Sequence, residues 1–414
     1  MSRSSSLYHT LCRELAATSP TVRRSSQVRL ALLITAIIAS RSCVIAKLAR
    51  RIRSLGLSPA IPDSIARRVR RTMNDPQLTA EACVAPLLRL VLARAVPTGA
   101  TAPLRVVIDE STHTDHVHLL RAAVGYRGGT IPLAWATWAQ NTPQDPGAYW
   151  AAMDRLFAEV EARLPAGQDV LIVADRLYAI PAFIDRVTAH GWHWLVRVTT
   201  SGSHRWCVRR GSPLAPGWGP DTGLAQVVRQ ALPGPGTRIR TSGRFAKKAG
   251  WRAANLVGVW GIGHRDPLVV LTDLPPRWLV LAWYRRRFWV EPGFRGDKSA
   301  GWHWEDSQVR DPAHHQVLLL ALAWATLLSL WAGAQDATRQ LATLRTRRGR
   351  PTHARLSLAA LGRDVLTAWL DGTWRDRPRH RIAWALPHLF GPAWTDEWSA
   401  CMARHFIFAA PVRP

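Results

Sequence analysis

Apolar positions recur at helical spacing over residues 28–39, 43–52 and 65–73, and predict three helices in the first hundred residues. Ser64, with Asp63 before it, is a candidate cap for the third. Near residue 104 the texture changes to short unbroken apolar runs. Leu104–Ile108 (LRVVI) reads as a buried strand ending at Asp109, and DVLIVA (169–174) as a second ending at Asp175. Between them, 119–126 and 130–138 flank Gly128-Gly129 as a hairpin, and a helix follows over 147–164. A helix over 181–190 and a strand over 192–198 complete the run. The order strand, hairpin, helix, strand, helix, strand predicts a mixed α/β sheet. From 201 to 274, Gly and Pro recur between short apolar stretches (256–260, 268–271), which predicts an all-β insertion or a long decorated loop. Helical sequence resumes near 278 and runs, with breaks, to about 334. Its last part, VLLLALAWATLLSLWAGA (317–334), is long enough to raise the question of a membrane span. It is a single short run between His315 and Gln335, and reads as the buried helix of a large core.

These changes of texture divide the chain into five expected segments. They are a helical domain (1–97), a first core part (98–200), a β-rich insertion (201–275), a second core part (276–344), and a basic linker with a C-terminal helical segment (345–414). The stretch AVPTGATAP (95–103) is the first linker, and RTRRGRPTHAR (345–355) the second. Charge sharpens this picture. Among 414 residues, 55 Lys and Arg face 28 Asp and Glu, a net +27, and only Lys47, Lys247, Lys248 and Lys298 are lysines. A GC-rich genome accounts for the abundance of Arg, Ala, Gly, Pro and Trp, but not for the scarcity of acids. A fold has no use for such an excess, whereas a polyanionic partner does. The 47% hydrophobic content excludes a disordered chain, and five scattered cysteines without a CxxC pair exclude a disulfide scaffold and a structural zinc site. The first residues contain no apolar signal-peptide core, so an intracellular, non-membrane protein is expected. The third helix carries Arg67, Arg68, Arg70 and Arg71, and the second Lys47, Arg50, Arg51 and Arg53. Two short helices so dense in cations point to a helix-turn-helix-like DNA-binding module, the alternative being a solvated basic face.

The chemistry concentrates on a few side chains. Asp109 and Asp175 each follow an aliphatic run, so adjacent strands would present two carboxylates at one edge of a sheet. Such a pair repels unless it is protonated or bridged by cations, and oxygen-only donors suit Mg²⁺ or Mn²⁺. Taken singly, an aspartate in this position is more commonly a cap of the next turn. Downstream, Tyr284, Arg287, Glu291 and Lys298 stand at offsets of 3, 7 and 14 residues. At about 100° per residue these fall at about −60°, −20° and −40° from Tyr284, one polar face of a helix. Pro292 disfavours helical geometry at Glu291, where a kink is expected. Glu305, in the sequence Trp304-Glu305-Asp306, is a rival acid without the Tyr, Arg and Lys accompaniment. His113, Asp115, His116 and His118 have the residue types of a transition-metal site but read as a solvated loop.

The spacing Y-(2)-R-(3)-E-(6)-K of Tyr284, Arg287, Glu291 and Lys298 resembles that of the DDE-superfamily bacterial insertion-sequence transposases with the YREK signature. Asp109 and Asp175 stand in the order of that family's first two acids, and Trp302–Leu328 resembles its final helical region. The resemblance implies a ribonuclease H-like mixed sheet with flanking helices and an insertion before the Glu-bearing helix. It implies that Asp109, Asp175 and Glu291 are catalytic and hold two Mg²⁺ ions, with Mn²⁺ an alternative, for phosphoryl transfer on DNA. Tyr284, Arg287 and Lys298 would grip DNA phosphates, and Arg176 matches a basic position next to the second acid. The implied partners are double-stranded DNA, as terminal inverted repeats and target, and a second copy of the chain in a homodimer. The implied place is the bacterial cytoplasm, at the nucleoid. Alternatives are a domesticated or inactive DNA-binding protein, and a two-metal nuclease that cuts without joining. One departure is visible. Where some relatives carry a base-stacking Trp in the strand before this helix, this chain has Leu268.

Overall fold

The computed structural model describes residues 3–95, 102–126, 129–140, 145–199, 204–208, 222–299, 301–344 and 357–372. The expected linkers at 95–103 and 345–355, the Gly128 turn and Cys401 lie wholly or mostly outside them. The chain separates into two compact units. One comprises Met1–Ala100, Glu110–Ala166 and Trp289–Phe408; the other comprises Thr101–Asp109, Gly167–Phe288 and Ala409–Pro414.

In the first unit, the amino-terminal segment forms six helices: α1 (Arg3–Thr18), α2 (Arg24–Ser40), α3 (Ile45–Ser54), α4 (Pro62–Met73), α5 (Ala80–Cys83) and α6 (Ala85–Ala95). The predicted capping of α4 by Ser64 and Asp63 is not observed. The helix starts at Pro62, whose fixed φ and missing N–H suit a first turn, and Ile61 precedes it without a side-chain cap. The same unit holds the end of β1 (Leu104–His113), the hairpin β2 (Val117–Tyr126) and β3 (Gly129–Ala139), and α7 (Pro146–Arg163). The apolar run at 317–334 lies in α12 (Pro312–Leu344), which packs on β3, α2, α4 and α13 (Leu358–Leu370). Its face from Val317 to Ala332 is almost wholly buried, as expected of a core helix. Glycines let α12 and α13 approach closely: a Cβ at Gly362 would run into the Ser329 carbonyl oxygen.

The second unit carries the edge that matters for chemistry. Its elements in chain order are the start of β1, β4 (Val170–Ala174), α8 (Pro181–Ala189), β5 (His193–Arg197), β6 (Arg205–Val208), β7 (Thr222–Gly223) and α9 (Leu224–Ala231). They continue with β8 (Arg238–Phe245), β9 (Arg252–Val259), β10 (Leu268–Thr272) and α10 (Leu279–Arg285). The strand order here is β1-β4-β5-β10-β9-β8-β6-β7. β1, β4 and β5 run parallel, and the remaining neighbours are antiparallel. Every residue of β4 is buried, as an aliphatic strand covered on both faces must be. The insertion is β-rich as predicted, but it also contains α9, whose Leu224, Val227 and Val228 are buried. Mixed α/β architecture with a ribonuclease H-like core is therefore what the sequence pattern produces.

Candidate active site

β1 and β4 pair in register from Leu104 with Val170 to Ile108 with Ala174. One residue beyond the last pair, each strand carries an aspartate, so Asp109 and Asp175 are neighbours at the carboxyl edge of the parallel strands. β1 does not stop at Asp109 as its apolar run implied; it continues to His113. Asp175 does leave its strand. Its Oδ1 accepts from the Leu177 N–H at 2.8 Å and caps the one-turn 3₁₀ segment Arg176–Tyr178, with Arg176 exposed beside it.

A guanidinium stands between the two acids. Nη2 of Arg287 donates to Asp109 Oδ1 at 3.0 Å and Oδ2 at 3.1 Å, and lies 3.9 Å from Asp175 Oδ2. The side chains are 13% exposed for Arg287 and Asp109 and 23% for Asp175, so solvent screens this trio only in part. Burial alone pushes the Arg287 pKa down. Asp109, the Tyr284 phenol and Asp175 outweigh it and hold the guanidinium above its usual value.

Tyr284 is fully buried. Loss of water pushes its phenol up to about 12, with Arg287 and Arg197 pulling down and the two aspartates pushing up. It is an uncharged packing partner beside Arg287. The expectation of a solvent-facing stripe shared by Tyr284, Arg287, Glu291 and Lys298 needs revising here, because one continuous helix does not form. α10 tightens into a 3₁₀ turn over Arg286–Trp289, and a new helix, α11 (Val290–Lys298), follows. The irregularity comes before Glu291 and not at it. Pro292 falls in the first turn of α11, where a proline lacks no needed donor.

α11 belongs to the first unit. Glu291 is its second residue and is exposed, and Lys298 is its last. Lys298 Nζ is 3.2 Å from Glu305 Oε1, so the rival acid is the partner of this lysine. Two buried networks fix this region. Arg121 of β2 donates through Nη2 to Asp297 at 2.6 Å and lies over the Phe294 ring. The Trp304 indole N–H donates to His315 Nδ1 at 2.8 Å, and His315 Nε2 donates to the Val309 carbonyl at 2.9 Å. His113 Nε2 donates to the Trp304 carbonyl at 2.7 Å. Neither network was predicted, and local sequence carries no signal for pairings across 176 and 191 residues.

The partners of His315 require its neutral form, and burial pushes its pKa down to about 4. A base with a depressed folded pKa is protonated first in the unfolded chain. Its contribution to stability is therefore complete above pH 6.5 and is lost as the pH falls toward 4, by up to about 3 kcal/mol. Thermal melts across that window should show His315→Gln losing less stability with acid than the parent protein. Parallel acid limbs would contradict this assignment.

The histidine-rich turn gathers no metal site. His113 is buried, Asp115 and His116 are exposed in the β1–β2 turn, and His118 pairs with Glu110 at 2.6 Å while stacking on Trp138. Among the described residues no three His, Cys, Asp or Glu side chains are gathered tightly enough to hold an ion. The Asp109–Asp175 pair supplies two hard oxygen donors around a place now taken by a cationic group, and this donor chemistry fits a divalent ion completed by one more acid. On the amino-terminal helices, Arg67, Arg68, Arg70 and Arg71 are all exposed, and Arg50, Arg67 and Arg70 line a groove between α3 and α4 floored by Ala46, Ala49 and Ala66.

Two neighbouring carboxylates thus stand at the carboxyl edge of a ribonuclease H-like sheet. The chain belongs to the transposase DDE domain family, whose description matches residues 110–328, just over half its length. That span contains Asp175, Tyr284, Arg287, Glu291 and Lys298, and it begins one residue after Asp109. It is accordingly a transposase-type chain acting on DNA, in a family that uses divalent metal ions. A search of curated proteins gave no match.

Proposed function

We propose that this chain is an insertion-sequence transposase of the YREK kind, which binds terminal inverted repeats and performs Mg²⁺-dependent DNA cleavage and strand transfer. The observation that carries the proposal is the placement of Asp109 and Asp175 about a single guanidinium at the end of two parallel strands. Two carboxylates with a cation between them are the resting counterpart of a carboxylate-held ion site. Glu291, on the helix that follows Arg287 in the chain, is the third acid. Divalent ions in such a site activate water or a 3′-hydroxyl and neutralise phosphate charge. The chain's own part is to fix Asp109 by strand pairing and Asp175 by its cap, and to release Arg287 toward a phosphate oxygen.

Lys298 serves the same end as a phosphate contact, oriented by Glu305. Arg176 is a second exposed contact, and the α3–α4 groove with Arg67, Arg68, Arg70 and Arg71 engages the transposon end. Two ends must be brought together for joining, so the working species is a homodimer on DNA. Lys298→Ala should weaken end binding and make the plot of log affinity against log salt shallower by about 0.9, the value of one phosphate contact. An unchanged slope in an anisotropy titration would remove Lys298 from the DNA interface.

The test of function is an incubation of the purified chain with end-containing DNA, target DNA and Mg²⁺. Joined products support a transposase. Cleavage without joining would favour a nuclease, and binding alone an inactive DNA-binding protein.

A further inference from the structure

The insertion presents one face of uniform charge. Residues 222–265 contain eight Lys and Arg and no Asp or Glu. Along β8, Arg238, Arg240 and Arg244 are exposed, while Ile239, Thr241 and Phe245 are buried. This period-two alternation puts the three arginines on one face, at about 6.8 Å for each step of two residues. Ser242 takes the remaining position and donates to Asn255 of β9 at 2.6 Å. The turn into β9 adds exposed Lys247 and Lys248 at the end of the row.

The opposite face is closed. Leu232, just after α9, lies with Ile239 and Val269 around Gly258. Arg252, in register with Phe245 and so on that side, is held by both carboxylate oxygens of Asp185 at 2.7 and 2.6 Å. The cation on the closed side is neutralised by an acid, whereas the open row is built in a stretch that contains none. Trp278 stands against the start of the row, its ring 5.4 Å from the Arg238 guanidinium and 4.8 Å from that of Arg240. Stacking restricts two long side chains before any ligand arrives, which lowers the entropy lost on binding. A linear array of planar cations, spaced by a strand and partly ordered by an aromatic ring, fits a linear array of phosphates.

We infer that the open face of β8 is a docking surface for the sugar-phosphate backbone of duplex DNA, with Arg238, Arg240 and Arg244 meeting phosphates of one strand and Lys247 and Lys248 extending the track. This rests on the DNA-directed reading above and assigns part of that contact to the insertion. The contact carries no base readout, so it acts on any duplex.

The test uses the full chain and a random-sequence duplex, titrated by fluorescence anisotropy over a salt series. Replacing the three arginines together (Arg238→Gln, Arg240→Gln, Arg244→Gln) should make the log–log salt slope shallower by about 2.7, three contacts at about 0.9 each. Arg229→Gln, which changes an exposed cation of α9 beyond the closed face, should leave the slope as in the parent. Melting temperature, which exposed residues barely influence, reports that the triple variant is folded. A parental slope in the folded triple variant overturns the inference, as does an equal loss in Arg229→Gln. A parent protein that binds no duplex overturns the transposase reading itself, which separates the two failures.

Discussion

Asp109→Asn, Asp175→Asn and Glu291→Gln should each lower DNA cleavage at least about 10³-fold, the equivalent of about 4 kcal/mol of transition-state stabilisation at about 1.36 kcal/mol per tenfold. Each substitution keeps the shape of the side chain and removes one negative charge. The Asp175 cap survives, because an Asn carbonyl oxygen can still accept from the Leu177 N–H. End binding should therefore be equal to the parent or slightly tighter, since a negative charge facing phosphates has been removed. A gel assay of end cleavage beside an anisotropy measurement of end binding gives both numbers. Parental cleavage by any one variant would take that residue out of the site, and loss of binding along with cleavage would point to a structural effect.

The second large effect is expected at Arg287, in the absence of metal. Its guanidinium is the cation between Asp109 and Asp175. Arg287→Gln leaves two partly buried carboxylates facing each other without it. Breaking a buried ion pair by deleting one partner costs about 3–5 kcal/mol, and the residual exposure here lowers the expectation to about 2–3 kcal/mol. For a unit of this size that is a fall of about 5–10 °C in melting temperature. Mg²⁺ should then restore more stability to the variant than to the parent, because it replaces the lost positive charge. A residue that only reaches outward to DNA would leave the melting temperature of the free protein and its metal response unchanged, and that result would refute the bridging role.

Sequence and structure agree where the information is local. The aliphatic run of β4 admits only a buried strand, and the position of an acid directly after it, repeated at Asp109, makes the carboxylate pair legible before any fold is known. The burial of α12 follows from its composition in the same way. What was not legible depends on contacts between distant segments or on small changes of helical pitch. A constant 100° per residue put Tyr284 on an outward stripe, but the 3₁₀ turn at Arg286–Trp289 breaks the count and Tyr284 packs inside. Glu305 read as a competitor of Glu291, and only the fold shows it beside Lys298. The His113 cluster had the residue types of a metal site but read as a solvated loop, whereas His113 is buried. Its first histidine is instead consumed by the Trp304 carbonyl and its last by Glu110, partners that no spacing rule announces.

The metal-binding role of the three acids is the centre of this account, and manganese binding tests it most directly. Titrating Mn²⁺ into the chain bound to a non-cleavable end duplex, with free Mn²⁺ followed by electron paramagnetic resonance, should reveal two bound ions per active site. Asp109→Asn, Asp175→Asn and Glu291→Gln should each abolish or severely weaken that binding. If these variants take up Mn²⁺ with the parent's stoichiometry and affinity, these side chains do not hold the ions and the proposed mechanism is wrong.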